Sequence, residues 1–152
     1  NIGVGILFQG VYDADRMLQG TGIRPFVSSS GGGTLYSNIT DRWRASNPNK
    51  TDVFYPRLAW GGKDPSNTNN FQPSTWWQKD VSFMRLKQFT ISYYFPKSWE
   101  RNGLLKGGRL YLMGENVLTF SKFKLWDPEL NTNNGISYPN TRTISLGVNF
   151  NI

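Results

Sequence analysis

Residues 142–152 read RTISLGVNFNI, and every second side chain is apolar: Ile144, Leu146, Val148, Phe150 and Ile152. Between them stand Thr143, Ser145, Gly147, Asn149 and Asn151, all small or polar. Successive side chains of a strand point to opposite faces, so this segment is a strand with one greasy face and one wet face. A soluble β-domain would use the stripe as a core face, and a membrane barrel would turn it to lipid. Periodicity alone does not separate the two.

Three more stretches read the same way. In 2–13, Ile2, Val4, Ile6, Phe8 and Tyr12 share a face against Gly3, Gly5 and Gln9, with Leu7 and Val11 breaking the pattern. In 83–95, Phe89, Ile91, Tyr93 and Phe95 alternate with Gln88, Thr90, Ser92 and Tyr94. In 108–120, Leu110, Leu112, Leu118 and Phe120 share a face with Gly114 and Asn116, opposite Tyr111, Met113, Glu115 and Val117. Glu115 near the middle assigns its own face to water and the leucines outward. These strands are about 11–13 residues long, beyond the usual 5–6 of globular strands and close to the roughly 9–11 that cross a bilayer.

The connections are of two kinds. Residues 96–108, PKSWERNGLLKGG, are compact, with room for one helical turn opened by Ser98 and closed by Gly103. Residues 121–140 form a medium loop rich in Asn, Pro and Gly, and 14–82 is far longer, broken by SSSGGG, NPN, GGKDPSNTNN and QPS. A structureless stretch of that length belongs to a functional loop rather than to the inside of a compact domain. Outer-membrane barrels pair short periplasmic turns with long extracellular loops. If the last strand ends at the periplasmic face, the compact turn falls on that side and both long loops fall outside, with no adjustment. Four strands cannot close a barrel, for which about eight is the smallest workable number. The chain is therefore expected to be part of a larger barrel, or one of several chains that share a small pore.

Composition narrows the chemistry. The 152 residues contain no Cys and no His, which removes disulfides, thiol catalysis, histidine bases and the commonest zinc ligands. No window approaches the roughly 18 apolar residues of a membrane helix. The net charge of +7 permits an anionic partner, but Lys and Arg are scattered without a run of three, so no nucleic acid is expected. Asp127 and Glu129 could suggest acid–base work or a hard-cation site, yet a turn built on Asp127-Pro128 accounts for them better. SSSGGGT (28–34) lacks the Lys and the strand–helix setting of a phosphate loop. No catalytic residue, cofactor or metal site is expected, and the chain is not read as an enzyme.

All six tryptophans lie outside the strand cores, and five of them, Trp43, Trp60, Trp76, Trp77 and Trp126, fall in segments assigned to the outer side; the sixth is Trp99. Loop self-packing, an interfacial aromatic belt, a partner contact and a substrate contact all remain open for them. Arg85 and Lys87 share a side with Phe89 if their strand is regular, which would aim them at lipopolysaccharide phosphates or headgroups at the rim.

Three ordered motifs carry a resemblance. STWWQKDVSFMRLKQFTISYYFPKS (74–98), GRLYLMGENVLTFSKFKLWDPEL (108–130) and YPNTRTISLGVNFNI (138–152) resemble the C-terminal end of the SusC-like (SusC/RagA) TonB-dependent outer-membrane transporters. FQGVYD (8–13) and TDRWRASNPNKTDVFYPRL (40–58) resemble the preceding long-loop region. The resemblance implies an all-β, antiparallel transmembrane barrel segment, about four C-terminal strands of a barrel of about 22, with long extracellular loops. Many members end on an aromatic residue where this chain has Ile152, and the plug and TonB-contacting segment lie outside these residues. By resemblance the parent protein sits in the outer membrane of a Gram-negative, Bacteroidetes-type bacterium and imports an oligosaccharide or peptide. Its implied partners are the rest of the barrel and plug, a SusD-like surface lipoprotein, the TonB complex and outer-membrane lipid. Phe89, Ile91, Tyr93, Phe95, Ile144, Leu146, Val148, Phe150 and Ile152 are then expected to face lipid. The rival expectation is a soluble or surface-attached β-sandwich that binds glycans through its tryptophans.

Overall fold

The computed structural model describes residues 1–20, 22–25, 36–59, 65–98 and 107–151, with the side chains of 65–67 excepted. Among these residues six strands run in order: β1 (Ile2–Val11), β2 (Asp15–Met17), β3 (Gln78–Asp80), β4 (Phe83–Tyr94), β5 (Gly108–Ser121) and β6 (Thr143–Phe150). A 3-10 turn (Ser37–Thr40) and a short helix, α1 (Pro65–Asn70), lie between β2 and β3. The chain divides into two compact units. One is Asn1–Ala14, Asp80–Leu130 and Tyr138–Ile152; the other is Asp15–Lys79 and Asn131–Ser137.

The first unit is an antiparallel sheet in the order β1-β4-β5-β6. Its register puts like beside like. Val4, Ile91, Leu112 and Leu146 form one row across all four strands, and Gly5, Thr90, Met113 and Ser145 form the next. The alternation of the single strands thus becomes one apolar face and one mixed, mostly polar face of the whole sheet. A sandwich would bury one of these faces under a second sheet. Instead the apolar face stays open, with Ile2 71% and Leu146 73% exposed. Among the described residues β1 and β6 are the edges of this sheet, each paired along one side only, and a strand edge is a template for further pairing.

The register slips at one height. β1 advances from Leu7 to Phe8 while β4 goes from Gln88 to Leu86, leaving Lys87 as an extra residue. Over the same step of β4, β5 inserts Asn116 and Val117, with Asn116 at φ +51°. Because the strand period is two, one extra residue turns every side chain beyond it to the other face. Met84 and Leu86 therefore join the apolar face opposite Gly10 and Phe8, and Arg85 turns to the polar face. The regular-strand expectation, which placed Arg85 and Lys87 beside Phe89 and pointing outward, is overturned by this bulge.

The second unit occupies most of what pattern reading treats as a structureless 14–82 loop. It is organised on aromatic side chains. Trp77 stacks on Phe71 at 5.3 Å between ring centroids, and Tyr55 meets Trp77 edge-on at 6.2 Å. Trp77 is only 2% exposed and Tyr55 1%, with Leu18 and Ile23 buried in the same unit. Their polar ends are satisfied: the Tyr55 hydroxyl donates to the Ile23 carbonyl at 2.9 Å, and the Trp77 indole N–H to the Asn70 carbonyl at 2.8 Å. Burial pushes the Tyr55 phenol up to about 12.

Two chain segments close on each other at Gly22, where an added Cβ would lie 1.6 Å from the Asn134 carbonyl oxygen. Gly22→Ala is expected to destabilise this unit by about 2 kcal/mol, since backbone rather than a movable side chain blocks the space. Accelerated proteolysis of residues 15–79, with the barrel intact, would report it.

Candidate functional site

The candidate working surfaces are the two faces of the sheet and the 121–140 segment that joins β5 to β6. On the apolar face Phe89 lies over Gly114, where an added Cβ would fall 2.2 Å from the ring. The ring fills a gap that glycine leaves in the sheet surface. Ile91 and Tyr93 follow on the same face, paired with Leu112 and Leu110 of β5. Phe95 lies just past β4, edge-on to Tyr93 at 6.2 Å and tilted against Phe150 at 5.9 Å. Ile144, Leu146, Val148 and Phe150 complete the stripe on β6, all exposed. Ile152 lies outside the described residues.

The bulge builds a charged cluster on the other face. Arg85, 2% exposed, donates from Nη2 to Asp127 Oδ1, and its Nε stands 3.4 Å from Glu129 Oε2. Lys87 Nζ reaches Glu129 Oε1 at 3.1 Å. Gln9 Nε2 and Asn140 Nδ2 donate to the two Glu129 oxygens at 3.1 and 3.0 Å. Asp127 also accepts the Glu129 backbone N–H at 3.0 Å, closing the expected turn at Asp127-Pro128. Both carboxylates are thus occupied by cations and amides. Among the described residues no group of three metal-ligating side chains comes together.

The balance of forces on Asp127 has a consequence. Burial pushes its carboxyl up, but the Arg85 guanidinium and the Glu129 amide outweigh burial and hold it below its ordinary 3.8. A depressed carboxylate contributes stability above its unfolded pKa and loses it as pH falls through the folded one. The clasp is therefore expected to weaken only below about pH 4. Amide exchange at Glu129 should then rise in acid, and Asp127→Asn should remove that pH dependence. Arg85→Met is expected to loosen the 121–130 segment by about 2 kcal/mol, the scale of a hydrogen bond to a charged group. Faster exchange at Glu129 and Leu130 at neutral pH is the readout.

The structure treats the tryptophans unequally. Trp77 is the core of the second unit. Trp76 is 36% exposed, with its indole N–H on the Phe54 carbonyl at 3.0 Å. Trp43 donates to the Pro48 carbonyl at 3.1 Å. Trp126 lies edge-on to Phe123 at 5.0 Å, and its Nε1 is buried with no partner among the described residues. Trp60 and Trp99, like residues 99–103 of the helical turn expected after Ser98 and the SSSGGGT stretch, fall outside the described residues.

No family model matches the chain. Individual proteins do. Over 128 residues the chain is 35% identical to TonB-dependent receptor P26 of Formosa agariphila, covering 76% of this chain and 12% of that protein. TonB-dependent receptor P3 of the same organism is 33% identical over 133 residues, covering 79% and 12%. The RagAB peptide importer in its closed-closed state superposes on 98% of this chain and 15% of its own, with TM-score 0.68 and 25% identity. Its open-open state gives TM-score 0.66 at the same identity and coverage. RagA is itself SusC-like.

The chain belongs to the SusC-like TonB-dependent transporters. It spans 12% of the length of the curated relatives it matches, and its four long strands are a segment of the antiparallel barrel wall. The relatives are named as receptors and importers, which agrees with a chain that makes and breaks no bonds.

Sequence reasoning missed the clasp on this SusC-like wall. Its signal was present as two pairs of like charges spaced by two, Arg85 and Lys87 in RLK and Asp127 and Glu129 in DPE. Nothing local says that the two pairs meet, because only the Lys87 bulge turns the basic pair to the right face.

Proposed function

We propose that this segment forms wall and outer loops of a transporter that imports a nutrient, an oligosaccharide or a peptide, across the outer membrane of a Bacteroidetes-type bacterium. Import is energised through TonB, and a SusD-like lipoprotein covers the outer mouth. The observation that carries the reading is the two-faced, open sheet whose whole length follows the barrel of a peptide importer. The stripe of Phe89, Ile91, Tyr93 and Phe95 with Ile144, Leu146, Val148 and Phe150 faces lipid. Tyr93, Phe95 and Phe150 form the aromatic girdle at the periplasmic rim, where amphipathic rings favour the interface. The opposite face lines the lumen with small and polar groups, and the clasp and second unit shape the outer mouth. Trp43, Trp76 and Trp126 are the candidates for substrate or partner contact there, and Trp77 supports the unit from within.

The test is uptake by cells that carry or lack the full-length transporter, with labelled oligosaccharides and peptides, with and without TonB. TonB-dependent accumulation lost with the gene supports import. Uptake unchanged by deleting the gene rules it out. Purification of the transporter from membranes, with a lipoprotein retained, tests the partner.

A further inference from the structure

We infer that residues 121–130 form a strap that folds back over the polar face of the sheet and narrows the path along it, so that imported solutes are sieved by size. The inference rests on the import reading and on that face lining the lumen. In the sheet order β1-β4-β5-β6, β5 and β6 are neighbours. Neighbouring antiparallel strands need only about two to five residues between them. Here the whole of 122–142 separates the end of β5 from the start of β6. Its first limb does not lead towards β6. It turns the other way, across β4, as far as β1.

The turn starts where β5 ends. The Ser121 hydroxyl donates to the Ser82 carbonyl, just ahead of β4, at 2.7 Å and accepts the Phe123 backbone N–H at 3.1 Å. Asp127 and Glu129 then meet Arg85 and Lys87 of β4, and Glu129 accepts from Gln9 of β1 at 3.1 Å. The returning limb is tied to the same point. Asn140 donates to Glu129 at 3.0 Å, and the Asn116 side chain of β5 donates to the Thr141 carbonyl at 3.0 Å. A loop that merely stood at the rim would leave the sheet face open. Phe83 and Arg85 of that face are instead buried, with the guanidinium 5.7 Å over the Phe83 ring, and Phe123 and Pro128 of the strap are buried as well. A second layer of chain on a sheet stands about 10 Å from it, so the strap takes about that much from the lumen on this side. Its two carboxylates hold it there. Neutralising them would leave Arg85 buried without a counter-charge, which drives the strap off the wall.

The experiment uses the full-length transporter in intact cells. Thr90→Cys places a reporter thiol on the polar face of β4, inward of Arg85. It is reacted with a small maleimide and with a poly(ethylene glycol) maleimide added outside, the protein without the reporter serving as blank. Asp127→Asn with Glu129→Gln should speed the polymer reaction about tenfold or more, the factor that follows from losing hydrogen bonds to charged groups. The small reagent's rate and the heat-modifiable gel mobility should stay unchanged. If the double variant loses that mobility, Lys87→Met, which keeps Arg85 with both carboxylates, is read in its place and should speed the polymer severalfold. TonB-dependent uptake of labelled oligosaccharides and peptides of graded size should extend to larger members in the same variant. Equal polymer rates with and without the clasp overturn the strap. A faster polymer reaction with an unmoved size limit of uptake overturns the sieve. No TonB-dependent uptake of any probe by the unaltered transporter strikes the import reading itself, while a faster polymer reaction still upholds the strap over the sheet face.

Discussion

Leu146→Arg in the full-length transporter is expected to destabilise the barrel by about 2–4 kcal/mol, the range for a cation placed on the lipid face at mid-membrane. Leu146 stands in the middle of β6, 73% exposed, at the end of the apolar row Val4, Ile91, Leu112 and Leu146. A guanidinium there is too far from either rim to snorkel fully, so it must draw water or headgroups into the hydrocarbon. The control is one residue away. Ser145→Arg points to the opposite face, which the proposed reading turns to the lumen, and should cost far less. Urea unfolding of the two variants in lipid vesicles, read by heat-modifiable mobility, separates them. Equal losses would mean that the stripe does not face lipid.

Trp77→Ala is expected to cost the second unit about 3–5 kcal/mol, the usual range for deleting a buried aromatic side chain. The substitution removes the stack on Phe71 and the edge contact with Tyr55, and it leaves the Asn70 carbonyl without its indole donor. A unit of this size has little stability to spare, so residues 15–79 should become open to limited proteolysis. The barrel strands, with their own backbone ladder, should keep their heat-modifiable mobility. Trp77→Phe restores the stack without the N–H and should recover most of the resistance. If Trp77→Ala leaves the loop resistant, the aromatic core is not what holds it.

Legibility in the sequence followed the range of the forces involved. Strand existence, length and facing are written in neighbouring residues, because alternation is a property of two bonds. Ile144, Leu146, Val148 and Phe150 could be assigned to one face of the sheet from the letters alone, and the register pairs three of them with Gly114, Leu112 and Leu110 of β5, in line with Phe89, Ile91 and Tyr93. The second unit left no such trace. Leu18, Ile23, Tyr55, Phe71 and Trp77 are spaced with neither a period of two nor one of 3.6, and the breakers between them are all that a pattern reader registers.

Arg85 marks the boundary most sharply. The sequence by itself determined that a cation stands two residues after Phe83 and four before Phe89, and regular alternation would turn it to the side of both. Tertiary structure alone decided that Lys87 is spent as a bulge, because that choice depends on how β1 and β5 pair with β4 on either side. One unpaired residue reverses the facing of everything beyond it, so a side chain that regular alternation puts on the apolar face becomes one buried against Asp127 and Glu129. Alternation is local and survives in the letters; register belongs to the pairing of distant strands and exists only once they meet.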